Sequence, residues 1–153
     1  IVSRDWSSDV CSSDLAGPLK GPAAAAGLRL IFLLAPTSTA ERRSYVAKES
    51  QGFLYYVSLT GITGAKIQNM AEVGKNVGKI KKVTTTPVAV GFGVSTPDDA
   101  AQVSAMADGV IVGSAIVKQI AAHQQSSDMP KQVGRFVGTL KAAMDRAAHA
   151  SAG

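Results

Sequence analysis

Four times between Leu28 and His123 a short apolar run gives way to a longer segment carrying helix signals. Such an alternation demands parallel strands joined by helical crossovers, because each crossover must return the chain to the same end of the sheet. The first run, Leu30 to Ala35, is apolar without interruption, as a strand covered on both faces should be, and it stops at Pro36. Ser38 and Glu41 stand at capping-box spacing and predict a polar helix ending near Gly52. The second run, Phe53 to Ser58, is aromatic and β-branched. It opens into a loop, Leu59 to Lys66, that Gly61 and Gly64 should make mobile.

The remaining units follow the same grammar. Met70, Val73, Val77 and Ile80 recur at helical spacing, with Lys75, Lys79 and Lys82 on the opposite face. The third run, Pro87 to Val90, leads through Gly91-Phe92-Gly93 to Ser95-Thr96-Pro97-Asp98-Asp99. There a cap residue, an N1 proline and two acids predict a helix start. The fourth run, Val110 to Val112, meets Gly113-Ser114 and passes into a helix from about Ala115. A last helix is expected after Pro130, with Val133, Phe136, Val137, Leu140 and Met144 on its packed face.

Length and composition limit what these units can build. The 153 residues have room for one domain, and 46% hydrophobic with 18% charged residues excludes wholesale disorder. Four βα units fit either an open doubly wound sheet or half of a (β/α)8 barrel, which takes about 250 residues. No dinucleotide or Walker signature follows the first strand, which weakens a nucleotide-binding open sheet. The single cysteine, Cys11, excludes an internal disulfide scaffold and a Cys-rich zinc site, and fits a reducing compartment. The apolar stretch Ala23 to Pro36 contains Arg29 and is too short for a membrane span, so no membrane association is expected. Asp5 to Leu15 reads DWSSDVCSSDL, resembling a translated sequencing adapter. Residues 1–19 are therefore expected to be a non-native or disordered leader, 20–148 the folded unit and 149–153 a disordered tail.

Glycine at the carboxyl end of a strand lets backbone N–H groups approach an anion, and a helix N-terminus just beyond adds partial positive charge. One such turn is ordinarily a tight strand-to-helix connection. Here Gly91-Phe92-Gly93 and Gly113-Ser114 repeat it in adjacent units, Ser114 adds a hydroxyl, and Gly64 lies in the preceding loop. Tandem turns of this kind point to a phosphate-binding face, as formed after the last two strands of (β/α)8 enzymes.

The segments LIFLLAPTS, GFLYYVSLTGITGA, PVAVGFGVSTP and ADGVIVGSAIV together resemble the carboxyl-terminal half of the tryptophan synthase alpha chain family, over about residues 20–145. The resemblance implies an α/β fold: the carboxyl-terminal half of a (β/α)8 TIM barrel, parallel strands five to eight with their helices. It also implies a cytoplasmic lyase of tryptophan biosynthesis that cleaves indole-3-glycerol phosphate to indole and glyceraldehyde 3-phosphate by retro-aldol chemistry. The family's partner is a beta chain in an alpha-beta heterotetramer, and pyridoxal phosphate belongs to that beta chain, so no cofactor is expected here. Carried over by position, Gly64, Phe92, Gly93, Gly113 and Ser114 become the phosphate cradle. Tyr55, counted back from Gly61-Ile62-Thr63-Gly64, becomes the substrate-pocket tyrosine, with Tyr56 beside it, and Thr63 lies on the loop that closes over substrate.

The family's catalytic glutamate and aspartate belong to its first half, so this chain is expected to keep the phosphate half-site, to lack the acid pair and to be inactive alone. Half a barrel also leaves its first and last strands unpaired. The acids present have plainer roles: Asp98 and Asp99 open a helix, Glu41 caps one, and Asp108 precedes a strand at the end opposite the phosphate turns. His123 and His149 lack carboxylate partners in sequence, and Lys75, Lys79, Lys81 and Lys82 read as a solvated helix face, with no nucleic acid implied. Two alternatives stand beside this reading. One is part of another phosphosugar-binding (β/α)8 enzyme, and the other is a non-catalytic module that binds a beta chain.

Overall fold

The computed structural model describes residues 16–58, 69–91 and 93–150. In chain order its elements are α1 (Gly17–Ala25), β1 (Leu33–Leu34), α2 (Ala40–Glu49), β2 (Leu54–Val57), α3 (Met70–Lys81), β3 (Val88–Gly91), α4 (Pro97–Ser104), β4 (Gly109–Ile111), α5 (Ser114–His123) and α6 (Met129–Ala150). The strands form one parallel sheet in the order β1-β2-β3-β4. In register, Leu33 lies opposite Tyr55, Tyr55 opposite Ala89, and Ala89 opposite Gly109.

Strand alternation divides the sheet into two faces. Phe32, Leu34, Leu54, Tyr56, Val88 and Val90 point to the helical layer, where they form one buried cluster with Val46, Val73, Val77, Ile80, Val103 and Leu140. Every member of the predicted α3 stripe belongs to or packs against this cluster, because a 3.6-residue period keeps those positions on one side. On α6 the predicted face is shifted: Leu140 and Ala143 are buried, Phe136 and Met144 pack on the core, and Val137 is 41% exposed.

The local signals differ from the structure in instructive places. The first strand pairs over Leu33–Leu34 alone instead of Leu30 to Ala35, because it lies at the sheet edge with a single neighbour. Helix α2 is capped by Thr39, whose Oγ1 accepts from the Arg42 N–H at 3.2 Å, and not by Ser38. The Ser38 hydroxyl is engaged one turn earlier, accepting from the Ala35 N–H at 3.0 Å as the chain leaves β1. The fourth strand is Gly109–Ile111, one residue earlier than Val110 to Val112. Helix α1 begins at Gly17, inside the expected leader, and α6 runs to Ala150, past the expected boundary at 148. The predicted loop Leu59 to Lys66 and residues 1–15 lie outside the described residues.

The start of α4 matches its sequence signal closely. Thr96 Oγ1 accepts from the Asp99 N–H at 3.1 Å, and Asp99 Oδ2 accepts from the N–H groups of Thr96 at 2.9 Å and Ser95 at 3.0 Å. Partial burial alone would raise the Asp99 carboxyl pKa, but the Ser95 and Thr96 donors outweigh it and hold the group below the ordinary carboxylate range. The resulting stability is present above the ordinary carboxylate pKa and is lost as pH falls through the depressed one. Thr96→Ala is expected to cost about 1 kcal/mol in urea unfolding at neutral pH. Asp99→Asn should flatten the acid limb of the stability profile, and an unchanged limb would remove Asp99 from that account.

Candidate functional site

The turn after β3, the first turns of α5 and the side of α6 border a cavity of about 250 Å³ lined by Gly93, Val94, Ser95, Ser114, Lys118 and Phe136, among others. Two expected cradle residues, Gly93 and Ser114, thus meet at one place although they are separated by a whole βα unit. Gly93 has φ +83°, in the left-handed region that glycine enters without a Cβ penalty, and this bends the chain from β3 toward α4. Gly113 adjoins Ser114 as the N-cap of α5, and a Cβ built on it would meet nothing within 4 Å.

The two helix starts at this rim are electrostatically unlike. At α4 the Thr96–Asp99 capping box consumes the first donors, and Asp99 brings its own negative charge. At α5 no side chain caps the N-terminus, and the helical ladder begins with the Val117 N–H donating to the Gly113 carbonyl at 3.1 Å. The preceding N–H groups, of Ser114, Ala115 and Ile116, have no acceptor within the helix. They carry the positive end of its dipole. Lys118, exposed and one turn beyond Ser114 on the same face, adds a full charge to the cavity wall. An anion is therefore favoured at α5.

Tyr55 does not line this cavity. It lies on the sheet face away from the helical layer, half-buried, with its ring over Gly91. A Cβ built on Gly91 would collide with the Tyr55 ring edge and hydroxyl, so glycine there makes room for the tyrosine. Burial raises the Tyr55 phenol pKa, which keeps it protonated at neutral pH and able to donate a hydrogen bond. Ser58 ties the ends of β2 and β3 together: its N–H at 3.0 Å and its hydroxyl at 2.7 Å both donate to the Gly91 carbonyl. Tyr56, the neighbouring tyrosine, points the other way and is buried in the helical layer, its hydroxyl accepting from Asn76 Nδ2 at 3.0 Å. Strand parity therefore separates the two tyrosines.

Thr63, Gly64 and Phe92 lie outside the described residues. Lys118 and Phe136 are additions that the sequence reading missed. The four-residue spacing from Ser114 could have found Lys118, whereas Phe136 carried only a core-facing signal. The acids are occupied elsewhere. Asp108 pairs with Lys81 at 2.8 Å and accepts from the Val88 N–H at 2.8 Å, at the amino end of β3. Among the described residues no group of three His, Cys, Asp or Glu side chains could hold a metal ion. No described helix is long and apolar enough to cross a membrane.

A parallel βα sheet with glycine turns and an uncapped helix start gathered at its carboxyl end has the architecture of half of a (β/α)8 barrel. Residues 9–145 match the family described as the tryptophan synthase alpha chain. The tryptophan synthase alpha chain of Geobacter sulfurreducens is 51% identical over 118 residues, 77% of this chain and 44% of the relative. Among solved structures, tryptophan synthase subunit alpha from Legionella pneumophila superposes with TM-score 0.74 at 32% identity, over 87% of this chain and 48% of that one. A Mycobacterium tuberculosis tryptophan synthase structure gives TM-score 0.74 at 37% identity, covering 86% of this chain and 48% of that one. The chain belongs to the tryptophan synthase alpha chain family. It spans about half the length of the curated relatives it matches.

Proposed function

We propose that this chain carries the phosphate-holding half of an alpha-chain lyase that cleaves indole-3-glycerol phosphate in tryptophan synthesis. Its site would bind the phosphate of that substrate or of glyceraldehyde 3-phosphate without a metal or organic cofactor. The observation that carries this reading is the uncapped N-terminus of α5 opening, through Ser114, onto the cavity that Gly93 also lines. Backbone N–H groups, a hydroxyl and the dipole would bind a phosphate dianion there, with Lys118 contributing a screened attraction. Gly64 and Phe92 would complete the cradle, Thr63 would sit on the closing loop, and Tyr55 would face the indole-bearing part of the substrate. In the full alpha-beta assembly indole would pass to the beta chain.

Retro-aldol cleavage needs one group to protonate the indole ring and another to help remove a proton. The described acids near the rim do not supply the pair: Asp99 is held by three donors from Ser95 and Thr96, and Asp98 is exposed in the first turn of α4. The 153-residue chain is therefore expected to bind glyceraldehyde 3-phosphate and to release no indole from indole-3-glycerol phosphate. Amide shifts of Gly113, Ser114 and Ala115 on titration with glyceraldehyde 3-phosphate check the first part, and Ser114→Ala should weaken binding by roughly tenfold, the worth of a charge-assisted hydrogen bond. Titration shifts confined to other residues would remove the α5 site, and indole release by protein free of host enzyme would overturn the second part.

A further inference from the structure

We propose that Asp99 is a positioning residue for the phosphate cavity: its carboxylate pins the turn after β3 in the shape that presents Gly93 to the ligand. Such a role rests on the phosphate reading of this cavity. One oxygen, Asp99 Oδ2, accepts from the Ser95 N–H at 3.0 Å, the Ser95 hydroxyl at 3.2 Å and the Thr96 N–H at 2.9 Å. Gly93 and Ser95 both line the cavity, two residues apart, so the carboxylate acts on the cavity wall through Ser95.

The turn needs holding. Gly93 takes φ +83°, and glycine loses more conformational freedom on being fixed than any other residue. On one side of it, Ser58 donates twice to the Gly91 carbonyl, through its N–H and its hydroxyl, and ties the end of β3 to β2. On the other side, the Val94 side chain is buried in the helical layer and Ser95 is tied to Asp99. Val94 fixes a side chain, whereas Asp99 fixes the backbone N–H just beyond it. A turn already set in its bound shape spares a ligand the cost of ordering it. Charge alone acts the other way, since a carboxylate beside the cavity wall opposes an incoming phosphate. The tether and the charge therefore predict opposite signs for the same substitution.

Calorimetric titration of the chain with glyceraldehyde 3-phosphate, beside urea unfolding, tests the role. Asp99→Ala is expected to weaken binding roughly fivefold, the scale of ordering one residue's backbone, although it removes a negative charge. Asp99→Asn keeps an acceptor oxygen and loses the charge, so it should bind as tightly as the unaltered chain or more tightly. Thr96→Ala is the control for stability. It removes the other arm of the capping box, in which Thr96 Oγ1 accepts from the Asp99 N–H, and leaves the donors to the Asp99 carboxylate in place, so affinity should not change. Equal or tighter binding by Asp99→Ala, a loss in Asp99→Asn as large as in Asp99→Ala, or an equal loss in Thr96→Ala would overturn the positioning role and leave the α5 site standing. An unaltered chain without amide shifts at Gly113, Ser114 and Ala115 on addition of glyceraldehyde 3-phosphate would instead remove the site, and the role with it. Should Asp99→Ala fail to fold, amide exchange of the unaltered chain decides. Ser95 and Thr96 amides protected equally with and without glyceraldehyde 3-phosphate support a turn set in advance, and protection that arises only on its addition overturns it.

Discussion

Gly113→Asp is expected to lower the affinity for glyceraldehyde 3-phosphate by about 100-fold or more while leaving the fold slightly more stable. The two effects have opposite signs because they arise from the same uncapped helix start. Gly113 is the N-cap of α5, its φ of −113° is accessible to any residue, and a Cβ there meets nothing within 4 Å. An aspartate side chain therefore has open space there and can accept from the first-turn N–H groups, which adds a few tenths of a kcal/mol over glycine at an N-cap. The same carboxylate occupies the donors a phosphate would use and repels it. Two unit charges about 4 Å apart cost about 4 kcal/mol at the effective dielectric of a protein surface, and a discount for solvent still leaves about 100-fold. Calorimetric titration and urea unfolding of one preparation read both quantities. Lower stability together with lower affinity would indicate simple damage and would remove α5 from the proposed site.

Gly91→Val is expected to destabilise the chain by about 1–3 kcal/mol, the usual cost of overpacking, and to displace Tyr55 from its seat. The reason is steric. A Cβ at position 91 collides with the outer edge and hydroxyl of the Tyr55 ring, so either the ring must shift or β3 must move. Moving β3 is resisted by Ser58, whose N–H and hydroxyl both hold the Gly91 carbonyl. The ring should therefore yield. Gly91→Val combined with Tyr55→Ala should recover more than half of the lost stability, because the second change removes the obstruction, and a double-mutant cycle measures that coupling. Additive losses would show that Gly91 is required for some other reason. Gly109 is the informative control: its built Cβ lies 3.4 Å from the Ala89 Cβ, so Gly109→Ala should cost much less.

Both expectations turn on glycines that look alike in sequence. Gly91, Gly93 and Gly113 all sit where a strand gives way to a helix, and a linear reading treats them as one phosphate-binding signature. In space they do three jobs. Gly91 makes room for a ring, Gly93 bends the chain at positive φ, and Gly113 leaves a helix end open. Chain geometry at each residue was legible, but what lies above it was not, because the Tyr55 ring approaches Gly91 from a strand more than 30 residues away in sequence.

The sequence by itself determined the order and kind of the elements from Leu30 onward, the α3 stripe, the capped start of α4 and the recurrence of glycine turns at strand ends. Those features depend on periodicity and on contacts within about four residues, so composition at each position suffices to specify them. The tertiary structure alone decided the rest. It opened the start of α5, through Ser114, onto the cavity that Gly93 also lines. It placed Phe136 and Lys118 in one cavity wall, and shortened β1 because an edge strand pairs on one side only. Each of these outcomes depends on which groups meet after the sheet has assembled, and pairing between distant segments is set by the packed whole.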